Sequence, residues 1–281
     1  MASEDLSASS LFDVKDKVVV VTGGGSGIGA MFAAAYALNG AKVYIASRKE
    51  KQLKQVADAL NQKGPGSCHY IVGDVSSKAG CDAVAEEIKR HETKVHVLVN
   101  NSGATWGANY DNFPEKEGWD RVMNLNVKGV FYLTVALTEL LAKDADAYNP
   151  GRVINISSVA GLNTVANETS LAADGQGLWS YNTSKAAVNH LTSTLASTLA
   201  PRFITVNAVL PGVFPSKMTA FGFSKKGEKQ MGASVPMGRT GQPRDIAGIA
   251  LFLAGAASAH ITGAHITVDG GTLVSRVMAS L

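Results

Sequence analysis

Seven short apolar runs recur along the chain, and most are followed by a turn and a segment with apolar residues at three- and four-residue spacing. The runs are Val18–Thr22, Ala41–Ser47, His69–Asp74, Val95–Asn100, Gly151–Ser157, Ile204–Leu210 and His265–Asp269. Each is short, rich in Val and Ile, and bounded by Gly, Asn, Asp or Ser, which reads as a strand buried on both faces. The helical spacing covers Ala30–Leu38, Lys49–Gln62, Lys78–Glu92, an uninterrupted Trp119–Leu141, Tyr181–Leu199 and Arg244–Ala256. Gly64-Pro65-Gly66 ends the second of these. The lysine-rich stretch 211–233 reads as irregular, and residues 1–14 as a flexible leader. Regular alternation of strand and helix predicts an α/β fold: one parallel sheet, doubly wound, with helices on both faces. No linker or composition break divides residues 15–281, which read as a single domain.

Composition narrows the function classes. Of 281 residues, 46% are hydrophobic and 17% charged, which fits a packed globule and not a disordered chain. A net charge of +3 without a basic block gives no footprint for nucleic acid. Cys68 and Cys81 have no metal-ligand spacing and read as reduced thiols. The acidic start MASEDLSASS is unlike a secretory signal, and the apolar run 246–257 is too short to span a bilayer. The final Ala-Ser-Leu lacks the basic residue of a peroxisomal address. The expectation is a cytoplasmic protein with no metal, no membrane partner and a small-molecule substrate.

In a doubly wound sheet, ligands gather at the carboxyl ends of the strands, so the residues there carry the candidate chemistry. The first strand opens into glycines at 23, 24, 25, 27 and 29, before an Ala-rich helix. Glycine admits positive φ and lets a pyrophosphate reach the free N–H groups of a helix start. A tight strand-to-helix turn would need the same residues. The second strand ends in Ser47-Arg48, where an NAD site would place an acid. An Arg there suits a 2′-phosphate, or is simply solvated; Ser26 in the turn adds no second cation. Asp74 can accept from an adenine amino group or cap the next helix. Asn100-Asn101-Ser102-Gly103 is either a polar turn or a set of ribose and backbone contacts.

Tyr181 and Lys185 sit four apart at a helix start and share a face. A nearby ammonium lowers the pKa of a phenol, which can then give a proton to a carbonyl oxygen as hydride reaches the carbon. Ser158, after the fifth strand, can hydrogen-bond the same oxygen. Alone, the Tyr–Lys pair would be ordinary packing; its place after a strand-end serine and a glycine turn gives it chemistry.

With these motifs in order, the chain resembles the classical short-chain dehydrogenase/reductase family over roughly Lys15 to Gly271. The likeness includes ketoreductases of the β-ketoacyl and rhamnolipid type. The family's T-G-x-x-x-G-x-G falls on Thr22 to Gly29, its D-V on Asp74-Val75, and its N-N-A-G on Asn100 to Gly103, with Ser102 for Ala. Its helix asparagine falls on Asn126, its serine on Ser158, its Y-x-x-x-K on Tyr181 and Lys185, its P-G on Pro211-Gly212, and a late D-G-G on Asp269 to Gly271. The resemblance implies a Rossmann-type fold and a tetrad. Tyr181 is the acid/base, Lys185 tunes it and holds the nicotinamide ribose, Ser158 orients the carbonyl, and Asn126 binds a relaying water. For NADP(H) it implies contacts from Thr22, Gly23, Gly25, Ser26, Gly27, Ile28, Gly29, Ser47, Arg48, Asp74, Val75, Asn101 and Gly103. Further contacts come from Pro211, Gly212, Val213 and Ser216, besides Tyr181 and Lys185. It also implies a homodimer or homotetramer through the helices of Asn126 and Tyr181 and through the last helix and strand.

Ser158 and Tyr181 lie 23 positions apart, against about 13 in the family. The extra residues, within Asn163–Trp179, read as a surface loop whose acids and Trp179 line the substrate mouth, or as an insertion without a role. Ala104–Tyr110 and Phe214–Gly232 complete the expected pocket walls, with Trp106, Tyr110, Phe214, Met218, Phe221 and Phe223 as an apolar lining. The glycines at 222, 227 and 232 make the last wall a candidate for ordering on binding. The expected activity is NADPH-dependent reduction of a ketone or ketoacyl group. NAD-dependent oxidation of a secondary alcohol and a non-catalytic NADP sensor are the alternatives.

Overall fold

The computed structural model describes residues 5–167, 172–173 and 175–278. The apolar runs form strands β1 (Val18–Thr22), β2 (Lys42–Ser47), β3 (Ser67–Val72), β4 (Val97–Asn100), β5 (Gly151–Ile156), β6 (Ile204–Pro211) and β7 (His265–Val268). All pair in parallel, in the order β3-β2-β1-β4-β5-β6-β7. The helices are α1 (Ala8–Leu11), α2 (Gly27–Ala37), α3 (Glu50–Asn61), α4 (Lys78–His91), α5 (Glu115–Ala142), α6 (Trp179–Leu199), α7 (Ala220–Ala233), α8 (Pro243–Ala254) and α9 (Thr272–Met278).

The fold is the doubly wound sheet that the alternation predicts, and β1 shows why. Val19 and Val21 point to one face, where they join Phe32, Tyr36, Leu53, Ile246 and Leu253 from α2, α3 and α8. Val18 and Val20 point to the other, where Ile88, Leu133, Leu137, Leu195 and Leu199 from α4, α5 and α6 cover them. A strand buried on both faces must be apolar at every position, so alternation is absent from its sequence. The chain winds outward from β1 to β3, then crosses back to place β4 beside β1. That reversal leaves a crevice above the strand ends. The register pairs Thr22 with Ala46, Asn100 with Asn155 and Ile156 with Val209, so the residues after each strand meet at one edge.

The structure departs from the sequence reading in several places. The stretch 211–233 is not irregular throughout: it holds α7, broken at Gly227 (φ +73°, ψ 159°). Met231 of this helix is buried. The leader is not loose over its described part. Ser7 caps α1, Phe12 meets Phe252 at 6.4 Å between ring centroids, and Val14 is buried. β3 begins two residues earlier than expected because Ser67 pairs with Lys42, and β4 two later because Val97 pairs with Val19. α5 is not uniform: π-helical turns at Glu115–Asp120 and Asn124–Lys128 widen it beside the site. By length and composition α5 could cross a bilayer, yet its Leu133, Leu137 and Leu141 are fully buried against the sheet.

Candidate active site

The crevice contains a cavity of about 470 Å3 that runs from the glycine turn to Tyr181. At one end β1 turns through Gly23, whose φ of +67° favours glycine; a Cβ there would stand 2.7 Å from Asn101 Nδ2. Gly27 (φ +55°) opens α2, and a Cβ on it would stand 3.0 Å from Ser216 Cβ. The turn therefore keeps its backbone bare, and the first N–H groups of α2 face the crevice, a cradle that fits a pyrophosphate. Thr22 holds this turn in place. Its hydroxyl accepts from the N–H groups of Asn101 and Ser102, both at 2.9 Å, and Asn101 Nδ2 donates to its carbonyl at 2.9 Å.

Farther along lie Ser47 and Arg48 after β2 and Asp74 and Val75 after β3. Arg48 Nη1 stands 3.4 Å from Asp74 Oδ2. Asp74 Oδ1 accepts from Ser76 N at 3.0 Å, while Ser77, not Asp74, caps α4. Burial raises the Asp74 carboxyl, but the Ser76 hydrogen bonds and the Arg48 charge outweigh it, so it sits below the usual carboxylate range. The cleft wall also carries Lys49, Arg121 and Lys217. Its cations therefore exceed its acids, as a nucleotide with several phosphates requires.

At the other end, α6 carries Tyr181 and Lys185 into the crevice, 6% and 5% exposed. Ser158 follows β5; its hydroxyl accepts from Ala160 N at 3.1 Å and lies near enough to the Tyr181 phenol to pull its pKa down. Lys185 Nζ donates to the Ile156 carbonyl at 2.8 Å and lies 5.6 Å from the centroid of the Tyr181 ring. Burial depresses the Lys185 ammonium to about 8. The sequence reading has Lys185 bringing the phenol down. The balance in this structure runs the other way: burial raises Tyr181, and only Ser158 opposes it. The ammonium is held at the Ile156 carbonyl, 5.6 Å from the centre of the phenol ring.

Asn126 is fully buried in the π-helical turn of α5. Its Oδ1 accepts from Ala104 N at 2.8 Å; its Nδ2 donates to Ala104 O and Ser184 Oγ, both at 2.9 Å. Ser184 Oγ in turn donates to Tyr181 O at 2.7 Å. Both amide protons are engaged, so the side chain fixes the β4 loop to α6.

Most of the residues expected at the cofactor line the cleft. Thr22, Gly29 and Val213 do not: Thr22 is spent on the β4 loop, Gly29 packs against the Gly23 backbone, and Val213 faces a smaller cavity beside β7. Asn100 is structural, donating to Thr134 Oγ1 at 3.1 Å and Asn155 Oδ1 at 2.9 Å. Of the expected apolar lining, Met218 and Phe214 reach the cleft, Tyr110 lines a second cavity, and Trp106, Phe221 and Phe223 line neither. Trp106 lies 3.0 Å from the point where a Cβ on Gly118 would be. Glu168 and Asp174, the acids of the long loop, lie outside the described residues. The described part of that loop pairs Gly177 with Ala108 and lays Ala172 and Leu178 against Tyr181. Sequence reasoning missed Lys49, Gln52, Arg121, Leu125 and Lys217 in the cleft wall. Lys49 and Lys217 adjoin expected residues; Arg121 and Leu125, one turn apart on α5, have no sequence signature.

Comparison with known proteins gives concordant matches. The family model described as enoyl-(acyl carrier protein) reductase matches residues 23–272. The chain is 39% identical over 261 residues to the rhamnolipids biosynthesis 3-oxoacyl-[acyl-carrier-protein] reductase of Pseudomonas aeruginosa, covering 92% of this chain and 97% of that one. It is 33% identical to an NAD-dependent glycerol dehydrogenase of Listeria innocua, covering 92% and 95%. Among solved structures, the Pseudomonas aeruginosa RhlG/NADP active-site complex superposes with a TM-score of 0.85 at 38% identity, covering 94% of this chain and 98% of that one.

Proposed function

The chain belongs to the classical short-chain dehydrogenase/reductase family, and on that premise we propose that it is an NADPH-dependent ketoreductase acting on a ketone or ketoacyl substrate. The observation that carries this reading is the convergence of two hydroxyls, Ser158 and Tyr181, beside a dinucleotide-sized cleft. Two donors aimed at one point suit a carbonyl oxygen that becomes an alkoxide. NADPH, when bound, supplies the hydride. Tyr181 gives the proton to the developing alkoxide, and Ser158 holds that oxygen throughout. Lys185 lies where it can exchange Ile156 for the ribose and bring its charge to the phenol. Asn126 is a positioning residue: it ties Ala104 to Ser184 and so keeps the β4 loop against the catalytic helix. Ser47 and Arg48 leave no carboxylate to repel a 2′-phosphate at the end of β2, which favours NADP over NAD. Two buried, unpaired cysteines suit a reducing cytoplasm. Half-exposed Phe131 and Val135 on α5 suit self-association through α5 and α6.

A ketone panel with NADPH and NADH tests the reading. We expect turnover with NADPH that Tyr181→Phe abolishes. Wild-type turnover no higher than the background rate of Tyr181→Phe would leave a binding protein or sensor, and preference for NADH with alcohols would favour the oxidative alternative.

A further inference from the structure

Ser157 directly follows β5 and is buried. Its N–H donates to Val209 O at 2.8 Å, which carries the sheet ladder one residue past the strand and onto β6. Its hydroxyl donates to the main-chain carbonyl of Lys185 at 3.0 Å. Lys185 returns a bond to the same strand end, from Nζ to Ile156 O at 2.8 Å. Two consecutive residues at the end of β5 thus hold the two ends of one lysine, Ser157 its carbonyl and Ile156 its ammonium.

Gly161 presses on the same peptide. A Cβ there would stand 2.6 Å from Lys185 C and 2.8 Å from Ala186 N. The φ of Gly161 is not positive, so close approach, not backbone conformation, demands the glycine. Ser157 and Gly161 bracket one short turn, and Ser158 lies inside it with Oγ accepting from Ala160 N at 3.1 Å. The turn therefore straddles the Lys185–Ala186 peptide like a saddle, with the carbonyl-binding serine between its two feet. Tyr181 lies four residues earlier on α6, about 6 Å along the axis. Whatever fixes the Lys185 main chain also fixes Tyr181 relative to Ser158. The Lys185 carbonyl already takes the helix's own N–H from four residues on, so the Ser157 hydroxyl is an added tie from sheet to helix.

The ties at Lys185 differ in what cofactor binding asks of them. The Nζ–Ile156 bond has to break when the ammonium turns to a ribose. The Ser157 bond and the Gly161 contact involve only the main chain of Lys185, and they survive that exchange.

We propose that Ser157 is a positioning residue of the reaction: with Gly161 it holds the main chain of Lys185 still while the ammonium changes partner. This rests on the reductase reading and adds residues that act through Lys185 and Tyr181. Without the saddle, α6 follows the departing ammonium and Tyr181 loses its place beside Ser158.

The test compares Ser157→Ala with Thr192→Val. Thr192 is also buried on α6, donating to Val188 O at 2.8 Å and accepting from Asn155 Nδ2 at 3.0 Å. It lies about two turns beyond Lys185, so its variant removes a tie of the same kind away from the chemistry. We expect Ser157→Ala to lower kcat about 10-fold while the KM for NADPH stays within about twofold. In ultraviolet titration of the NADP+ complex, with the matching Tyr181→Phe protein as blank, the Tyr181 midpoint should move up toward that of the free protein, because the ammonium is less well placed against the phenol. Thr192→Val should melt as early as Ser157→Ala yet keep the wild-type kcat and midpoint. Wild-type kcat and midpoint in Ser157→Ala overturn the proposal. So does Thr192→Val matching Ser157→Ala in both, since any loosening of α6 would then suffice. Should Ser157→Ala not fold, Ser157→Cys carries the comparison: its thiol is a weak donor, and wild-type values in it overturn the proposal equally. If the wild type reduces no ketone, the reductase reading fails, and the midpoints in the NADP+ complex alone decide the saddle.

Discussion

Lys185→Met should cost the protein its activity and, near neutral pH, leave it as stable or more so. Lys185 is 5% exposed, and burial brings its ammonium from 10.5 to about 8. A shift of that size corresponds to about 3 kcal/mol of unfavourable desolvation when the side chain is charged. Its one hydrogen bond among the described residues runs to the Ile156 carbonyl at 2.8 Å. Leaving that acceptor unpaired costs about 1–3 kcal/mol. Methionine replaces the stem at similar volume, so packing changes little. At pH 7 the cofactor-free variant should therefore be more stable by about 0–2 kcal/mol. The pH dependence separates this from a packing effect. Between pH 8 and 10.5 the unfolded lysine holds a proton that the folded one has lost, so wild-type stability rises with pH across that window. The variant has no such rise, and the order should reverse, leaving it about 1–3 kcal/mol less stable by pH 10.5. Lys17, also depressed to about 8 by burial, is common to both proteins and cancels. Urea unfolding followed by circular dichroism at pH 7, 9 and 10.5 measures the difference. A constant gap between the two proteins over that range would refute the claim that Lys185 is held charged against its desolvation.

Three further outcomes follow from the same geometry. Arg48→Ala should weaken NADPH binding about 10- to 100-fold, the worth of a charge-assisted contact, and leave NADH nearly unchanged; fluorescence titration with both cofactors would expose an equal loss, which the phosphate role forbids. Tyr181→Phe should lower NADPH-dependent turnover at least about 100-fold with unchanged circular dichroism, and a variant retaining a tenth of the rate would remove Tyr181 from the chemistry. Gly29→Ala should destabilise the fold by about 1–3 kcal/mol, because a Cβ there runs into the Gly23 backbone and Asn101 Nδ2; an unchanged melting temperature would mean that the turn has room to move.

The central strands were legible because both of their faces are buried, so Val18 to Val21 had to be continuously apolar. The glycine turn, Asp74, Ser158, Tyr181 and Lys185 were legible because each follows a strand or opens a helix at the carboxyl edge of the sheet. What the sequence did not show is whatever depends on packing between distant segments. The lysine-rich stretch 211–233 read as irregular, yet it holds α7, with Met231 buried. Trp106 looked like pocket lining, but Gly118, a residue without a side chain, gives its ring a place to pack. Arg121 and Leu125 enter the cleft because α5 happens to turn that face inward.

The structure adds most to the sequence reading at Asn126 and Lys185, and for one reason. Sequence spacing says which groups can meet; hydrogen bonds say which remain available. Asn126 has both amide protons committed to Ala104 and Ser184, so it contributes by position. Lys185 Nζ is held by one main-chain carbonyl over the phenol ring, and the phenol is raised, not lowered, in the absence of a ligand. The ammonium that would acidify Tyr181 is thus present but held at the Ile156 carbonyl. A dinucleotide whose ribose draws Lys185 Nζ from Ile156 would bring that charge nearer the hydroxyl, so binding and activation of the proton donor become one event. On this account the phenol titrates lower in the NADP+ complex than in the free protein. Ultraviolet difference titration of Tyr181, with Tyr181→Phe as the blank, measures it, and identical midpoints in the two states would break the link between Lys185 and the acid.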